Sequence, residues 1–140
     1  MNWLVVYGDR SGPPVLADPV AKLVYEPKPA WERMVHPTRE QFEGALLLAE
    51  ALWFWGHGNH GGLWISKGVF FSLADVRTVA LERPNPMRLA CLRACHTLYG
   101  PEAESSWLQL AERVQGFRGV TMEWWGRVNP MVELTRRESA

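Results

Sequence analysis

The chain has 140 residues, 47% of them hydrophobic, and fifteen Lys and Arg offset fifteen Asp and Glu for a formal net charge of zero. That length suits one core rather than two, so a single domain over 1–140 is expected, and the neutral balance supplies no field to gather nucleic acid or an anionic membrane. No apolar run approaches the roughly 20 residues of a spanning helix, and MNWLVVYGD lacks a basic leader region, which points to a cytoplasmic protein.

In chain order, NWLVVY (2–7) is rich in β-branched and aromatic residues and closes on GDRSGPP, a strand running into a turn. AKLVYEP reads as a second strand, and PKPAWERMVHP reads as irregular because prolines at 27, 29 and 37 interrupt it. Thr38 stands at a helix N-cap, with Glu40 and Gln41 in the first turn and Phe42, Ala45, Leu46 and Ala49 on one apolar face. ALWFWG then forms a continuous apolar run, the mark of a parallel strand covered on both sides. LWIS and VFFS flank Lys67-Gly68 as a tight hairpin, and SLADVRTVALER is a helix capped by Ser72. MRLACL is the next buried strand. ESSWLQLAERVQG reads as an amphipathic helix with Trp107, Leu110, Ala111 and Val114 inside and Gly116 as its stop. FRGVTMEWW reads as the last strand, and the tail as the start of a short helix. Eight tryptophans are a heavy load, and Trp53/Trp55 and Trp124/Trp125 are expected as core or interface anchors. Strands alternating with helices predict an α/β domain with a mainly parallel sheet.

In such sheets functional groups gather at the carboxyl ends of strands, where the loops depart. Two unusual motifs fall there: LWFWGHGNHGG, which puts His57 after one predicted strand, and MRLACLRACHT, which puts Cys95 after another. If the strands are neighbours, thiol and imidazole meet at one rim, the minimal equipment for a cysteine nucleophile. Glycines around His57 admit close approach of a substrate backbone. The N–H groups of Gly58 and Cys95 are the candidate oxyanion hole.

The residues from TREQFEGALLLAEALWFWGHGNHGGLWISKGVFFSLADV through MRLACLRACHT to SWLQLAERVQGFRGVTMEWW resemble the core of CHAT domains, relatives of caspases and separases among the caspase-like cysteine peptidases. The shared layout is a helix, an apolar strand ending in His-Gly, a short hairpin, a helix, and an apolar strand ending in Ala-Cys. The resemblance implies a caspase-like three-layer sandwich and a catalytic dyad of His57 and Cys95, with Gly58 and Ala94 as their motif neighbours. It also implies a cysteine endopeptidase acting on a protein or peptide substrate without a cofactor. The small residue that commonly follows the family's cysteine is replaced by His96-Thr97-Leu98. The chain also ends about where further elements of the family would complete a substrate groove. A minimal or truncated member is therefore expected, working alone, as a homo-oligomer or with a partner protein; the alternative is an inactive CHAT-like interaction or regulatory module.

Plainer roles compete for the same residues. Cys91, inside the strand, is expected in the core. His60 reads as a surface histidine that could replace His57 at the rim, and His36 and His96 as structural. Zinc on His57, His60, Cys91 and Cys95 requires a helix through MRLACLRAC, because in extended chain the two cysteines lie about 13 Å apart at ~3.3 Å per residue, too far for one metal. Arg93 shares the parity of Cys95 in extended chain and is expected to point at the same rim. In caspase-like peptidases the residue two before the cysteine commonly lines the pocket for the side chain just before the scissile bond, so the resemblance makes Arg93 a substrate-binding residue for Asp or Glu. Pairing of Arg93 with Glu102 or Glu104 is the alternative.

Overall fold

The computed structural model describes residues 1–9, 27–120 and 130–136. Strand β1 (Trp3–Tyr7) lies next to the edge of a six-stranded sheet with β2 (Glu32–Val35), β3 (Ala51–Trp55), β7 (Met87–Arg93), β8 (Ala111–Gly116) and β9 (Val132–Thr135). The order across it is β2-β1-β3-β7-β8-β9; every pairing is parallel except the last. Between β3 and β7 the chain inserts a three-stranded antiparallel sheet of β4 (Gly58–Asn59), β5 (Gly62–Ser66) and β6 (Val69–Ser72). The described helices are α1 (Arg39–Leu48), α2 (Leu73–Glu82) and α3 (Pro101–Leu110). The molecule is a mixed α/β sandwich with a mainly parallel sheet, as the alternation of elements predicts.

Alternation along the central strands makes two different faces. Leu4, Val6, Leu52, Phe54, Ala90 and Leu92 face the three helices, meeting Phe42 and Leu46 of α1, Val76 and Val79 of α2, and Trp107 of α3. Val5, Tyr7, Trp53 and Cys91 pack together on the opposite face, flanked by Trp3 and Trp55. There the Tyr7, Trp53 and Trp55 rings contact one another edge-on, with centroids 5.6–6.2 Å apart. Both faces of β3 are thus buried, which accounts for the unbroken apolar run. Trp53 and Trp55 are core anchors, while Trp124 and Trp125 lie outside the described residues.

Capping sets where the helices begin. Thr38 and Ser72 each accept the backbone N–H three residues on, and Gln41 and Asp75 reach back to the cap N–H groups, so α1 and α2 both start in capping boxes. Arg39 ties the two starts to the small sheet: its guanidinium donates to the Asp75 carboxylate at 2.7 Å and to the Phe70 carbonyl at 2.9 Å.

Four expectations are corrected. The segment 27–37 is not irregular: Pro27, Pro29 and Pro37 bracket the four residues of β2 without interrupting them, and pairing with β1 makes them the sheet edge. The predicted helix 104–116 runs only to Leu110, having begun at Pro101, and Ala111 turns directly into β8. Ala111 and Val114 are buried in the strand as they would have been in a helix, so periodicity alone could not separate the two. Consequently Phe117–Val120 is not a strand, and Val132–Thr135 is an antiparallel edge strand rather than the start of a helix. The expected strand in AKLVYEP and the end of FRGVTMEWW fall outside the described residues.

Candidate functional site

Parallel pairing of β3 with β7 sets Trp55 opposite Arg93. Two residues further along each chain stand His57 and Cys95, both just beyond the carboxyl ends of adjacent strands. The departing segments stay together past the sheet: a Cβ on Gly58 would sit 2.9 Å from the Cβ of Ala94. The residue after the histidine and the residue before the cysteine are therefore packed backbone against side chain, which only a glycine permits. His57 is exposed and Cys95 half-buried.

The His57 segment is hung on its neighbours by its backbone. The His57 N–H donates to the carbonyl of Asp9, beyond β1, while its carbonyl accepts from Trp64 of β5, both at 2.9 Å. Asp9 in turn donates to the Trp64 carbonyl at 2.9 Å, closing a three-way junction of β1, β3 and the hairpin. Because His57 and Trp64 form a hydrogen-bonded position of the hairpin, the next pair, Gly58 and Leu63, is the non-bonded one, and the Gly58 N–H turns away from β5. An open cleft of about 550 Å³ is lined by Asp9, His57, Gly58, Trp64, Lys67 and Gly68.

The Cys95 segment is a tight turn held by buried side chains. Thr97, 1% exposed, donates its hydroxyl to the Ala94 carbonyl at 3.3 Å and accepts the Phe117 N–H at 3.2 Å. Leu98 is fully buried and its N–H reaches the Phe117 carbonyl. His96 takes a left-handed φ of 56° and donates its N–H to Gly119. That conformation folds the chain back so that the Tyr99 N–H finds the His96 carbonyl at 3.2 Å.

Cys91 is 6% exposed on the aromatic face of β7, as expected of a core thiol. Burial pushes its thiol above the ordinary range, against the smaller opposing pull of the nearby Arg93 guanidinium. Residues 87–93 form a strand, which removes the helical geometry that the zinc alternative needs. Among the described residues no three His, Cys, Asp or Glu side chains gather closely enough to hold a metal ion. His60 lies at the turn between β4 and β5, its ring 6.4 Å from that of Tyr99. Arg93 turns toward Met131, with 3.8 Å between Nη1 and Sδ, and its guanidinium carbon lies 5.9 Å from the Phe117 ring centroid. Glu102 and Glu104 are bridged instead to Arg77 and Arg118. The junction with Asp9 escaped the sequence reading; only the position of GDR at the end of a strand could have signalled it.

Comparison with protein-family models and with curated proteins finds no match for the chain. Among the described residues no helix is long and apolar enough to cross a membrane.

Proposed function

We propose that the chain is a cysteine endopeptidase of the caspase-like type, with His57 and Cys95 as its dyad. The observation that carries this reading is the β3–β7 register, which sets Trp55 opposite Arg93, so that His57 and Cys95 each follow two residues beyond neighbouring strand ends. The order of helix, His-Gly strand, hairpin, helix and Ala-Cys strand supports it, because it is the layout on which the CHAT resemblance rests. Cys95 gives its proton to His57 and its sulfur adds to the scissile carbonyl. The N–H groups of Gly58 and Cys95 hold the oxyanion. The C–N bond then breaks as His57 protonates the leaving amine, and water hydrolyses the thioester to release the acid and the thiol. Arg93 is proposed to select Asp or Glu before the cut, by a charge-assisted pair with its guanidinium.

Peptide-library cleavage tests each part. Cys95→Ala should abolish turnover, and His57→Ala should lower it by about 10²- to 10⁴-fold. Iodoacetamide should label Cys95 at least about tenfold faster than the buried Cys91. Equal labelling, or turnover that survives Cys95→Ala, would contradict the dyad. Preference for Lys or Arg before the cut, or acidic preference unchanged in Arg93→Ala, would remove Arg93 from the pocket. A second reading, an inactive module of the same fold, is favoured by one observation: His96 holds a left-handed backbone where the family commonly places a small residue. A chain whose Cys95 resists thiol probes while folded would fit that reading.

A further inference from the structure

We infer that Tyr99 is a positioning residue of the dyad: paired edge-on with His60, it clasps the loop that carries His57 onto the turn that carries Cys95. The inference rests on the dyad proposed above and assigns a role to three side chains that the chemistry leaves unused. The two segments depart from different strands, and they first meet at the sheet end, where the Gly56 N–H donates to the Arg93 carbonyl at 3.4 Å and Gly58 packs on Ala94, which would set their separation while leaving their tips free to rotate. A second contact removes that freedom. His60, three residues past His57, and Tyr99, four past Cys95, supply it, with ring centroids 6.4 Å apart and planes at 62°. Such pairs fall within the edge-to-face range.

The turn presents the ring for this purpose. Tyr99 is 61% exposed, so burial does not account for its orientation. Instead the His96 imidazole meets it from within the turn, at 6.0 Å and 89°, and the His96 carbonyl holds its N–H. Buried Thr97 and Leu98 fix the turn beneath it. One imidazole thus sets the ring and the other is reached by it across the gap, so the two histidines have different roles. His60 joins the loops; His96 acts only within one of them.

The test is the pH profile of Cys95 alkylation by iodoacetamide on the full chain, with protection of Cys91 as the measure of folding. In the wild type, the proposed dyad should give Cys95 alkylation an acid limb that a lone thiol lacks, and His57→Ala should remove that acid limb. Tyr99→Ala and His60→Ala should each lower the acid limb by about 3- to 10-fold, the range one ring pair can supply. Tyr99→Phe should match the wild type, and His96→Asn, which tolerates the left-handed backbone but removes the imidazole that sets the ring, should lower the limb by less than Tyr99→Ala does. An unchanged acid limb in both Tyr99→Ala and His60→Ala, with His57→Ala still effective, would overturn the clasp and leave the dyad standing. An unchanged limb in His57→Ala would overturn the dyad itself. Losses that Tyr99→Phe does not rescue, or that come with exposure of Cys91, would reduce Tyr99 to a folding residue and overturn the inference.

Discussion

The loop that carries His57 and the turn that carries Cys95 leave adjacent strands at one register, yet they are built by different means. The histidine loop is glycine-rich and held by backbone: Asp9 and Trp64 grip the main chain of His57, and Gly58 is packed where a side chain would not fit. The cysteine turn is held by side chains, with Thr97 and Leu98 buried beneath it. Main-chain junctions resist change in side-chain chemistry but tolerate no added volume. Buried polar anchors tolerate volume only if the hydroxyl stays. The two halves of the site should therefore fail under different substitutions.

The largest effect is expected on the histidine side, at Gly8. A Cβ there would lie 2.4 Å from the Phe54 ring and 2.5 Å from the Trp64 carbonyl oxygen, at the root of the three-way junction. Gly8→Ala should cost about 3 kcal/mol by overpacking, read as a lowered denaturant midpoint with unchanged slope. On the cysteine side, Thr97→Val keeps the shape but strips the buried Phe117 N–H of its acceptor, at about 1–3 kcal/mol; Thr97→Ser should lose far less. A smaller effect joins the two halves. Gly58→Ala should cost about 1–2 kcal/mol, and adding Ala94→Gly should recover at least about 0.5 kcal/mol of it in a double-mutant cycle. Purely additive costs would show that the loops are not in contact.

The smallest effect concerns acid. Burial works against the charge on Asp75, but the Ser72 N–H, the Ser72 hydroxyl and the Arg39 guanidinium outweigh it and hold the carboxyl below its ordinary value. A carboxyl with a depressed folded pKa stabilises the protein above its unfolded pKa of about 3.9, and that contribution fades as pH falls through the folded value. Asp75→Asn should cost about 1 kcal/mol near pH 7 by urea titration, and the difference should shrink as pH falls below about 3.9. Arg39 also holds the Phe70 carbonyl of the hairpin, so acid below about pH 3.9 should loosen the histidine half before the cysteine half.

What could be read from the residues followed their physics. Thr38 and Ser72 announced α1 and α2 because a capping box is a local device complete within four residues. ALWFW and MRLACL announced buried strands because both faces of β3 and β7 are covered. β2 was hidden because its four residues become a strand only through β1, a pairing invisible to local pattern. The end of α3 was hidden because Trp107, Leu110, Ala111 and Val114 satisfy a helical face and a helix-to-strand junction equally well. Adjacency of His57 and Cys95 hung on the strand order, which alternation alone leaves open; Asp9 and the Tyr99 contacts required the loops themselves.

The junction of α3 and β8 has a consequence for the order in which the site assembles. From the Cys95 turn the chain enters α3 at Pro101, and at Ala111 it returns along β8 without an intervening loop, so Phe117 comes back to Thr97 only 20 residues away in sequence. Closing so short a circuit costs little chain entropy, and its helix can form early. The grip on His57 instead reaches back 48 residues (57 − 9) to Asp9 beyond β1, a later and costlier closure. During folding the cysteine half is expected to stand as a local unit before the histidine loop arrives, so that Cys95 and His57 come to adjacent strand ends only when the whole sheet is complete.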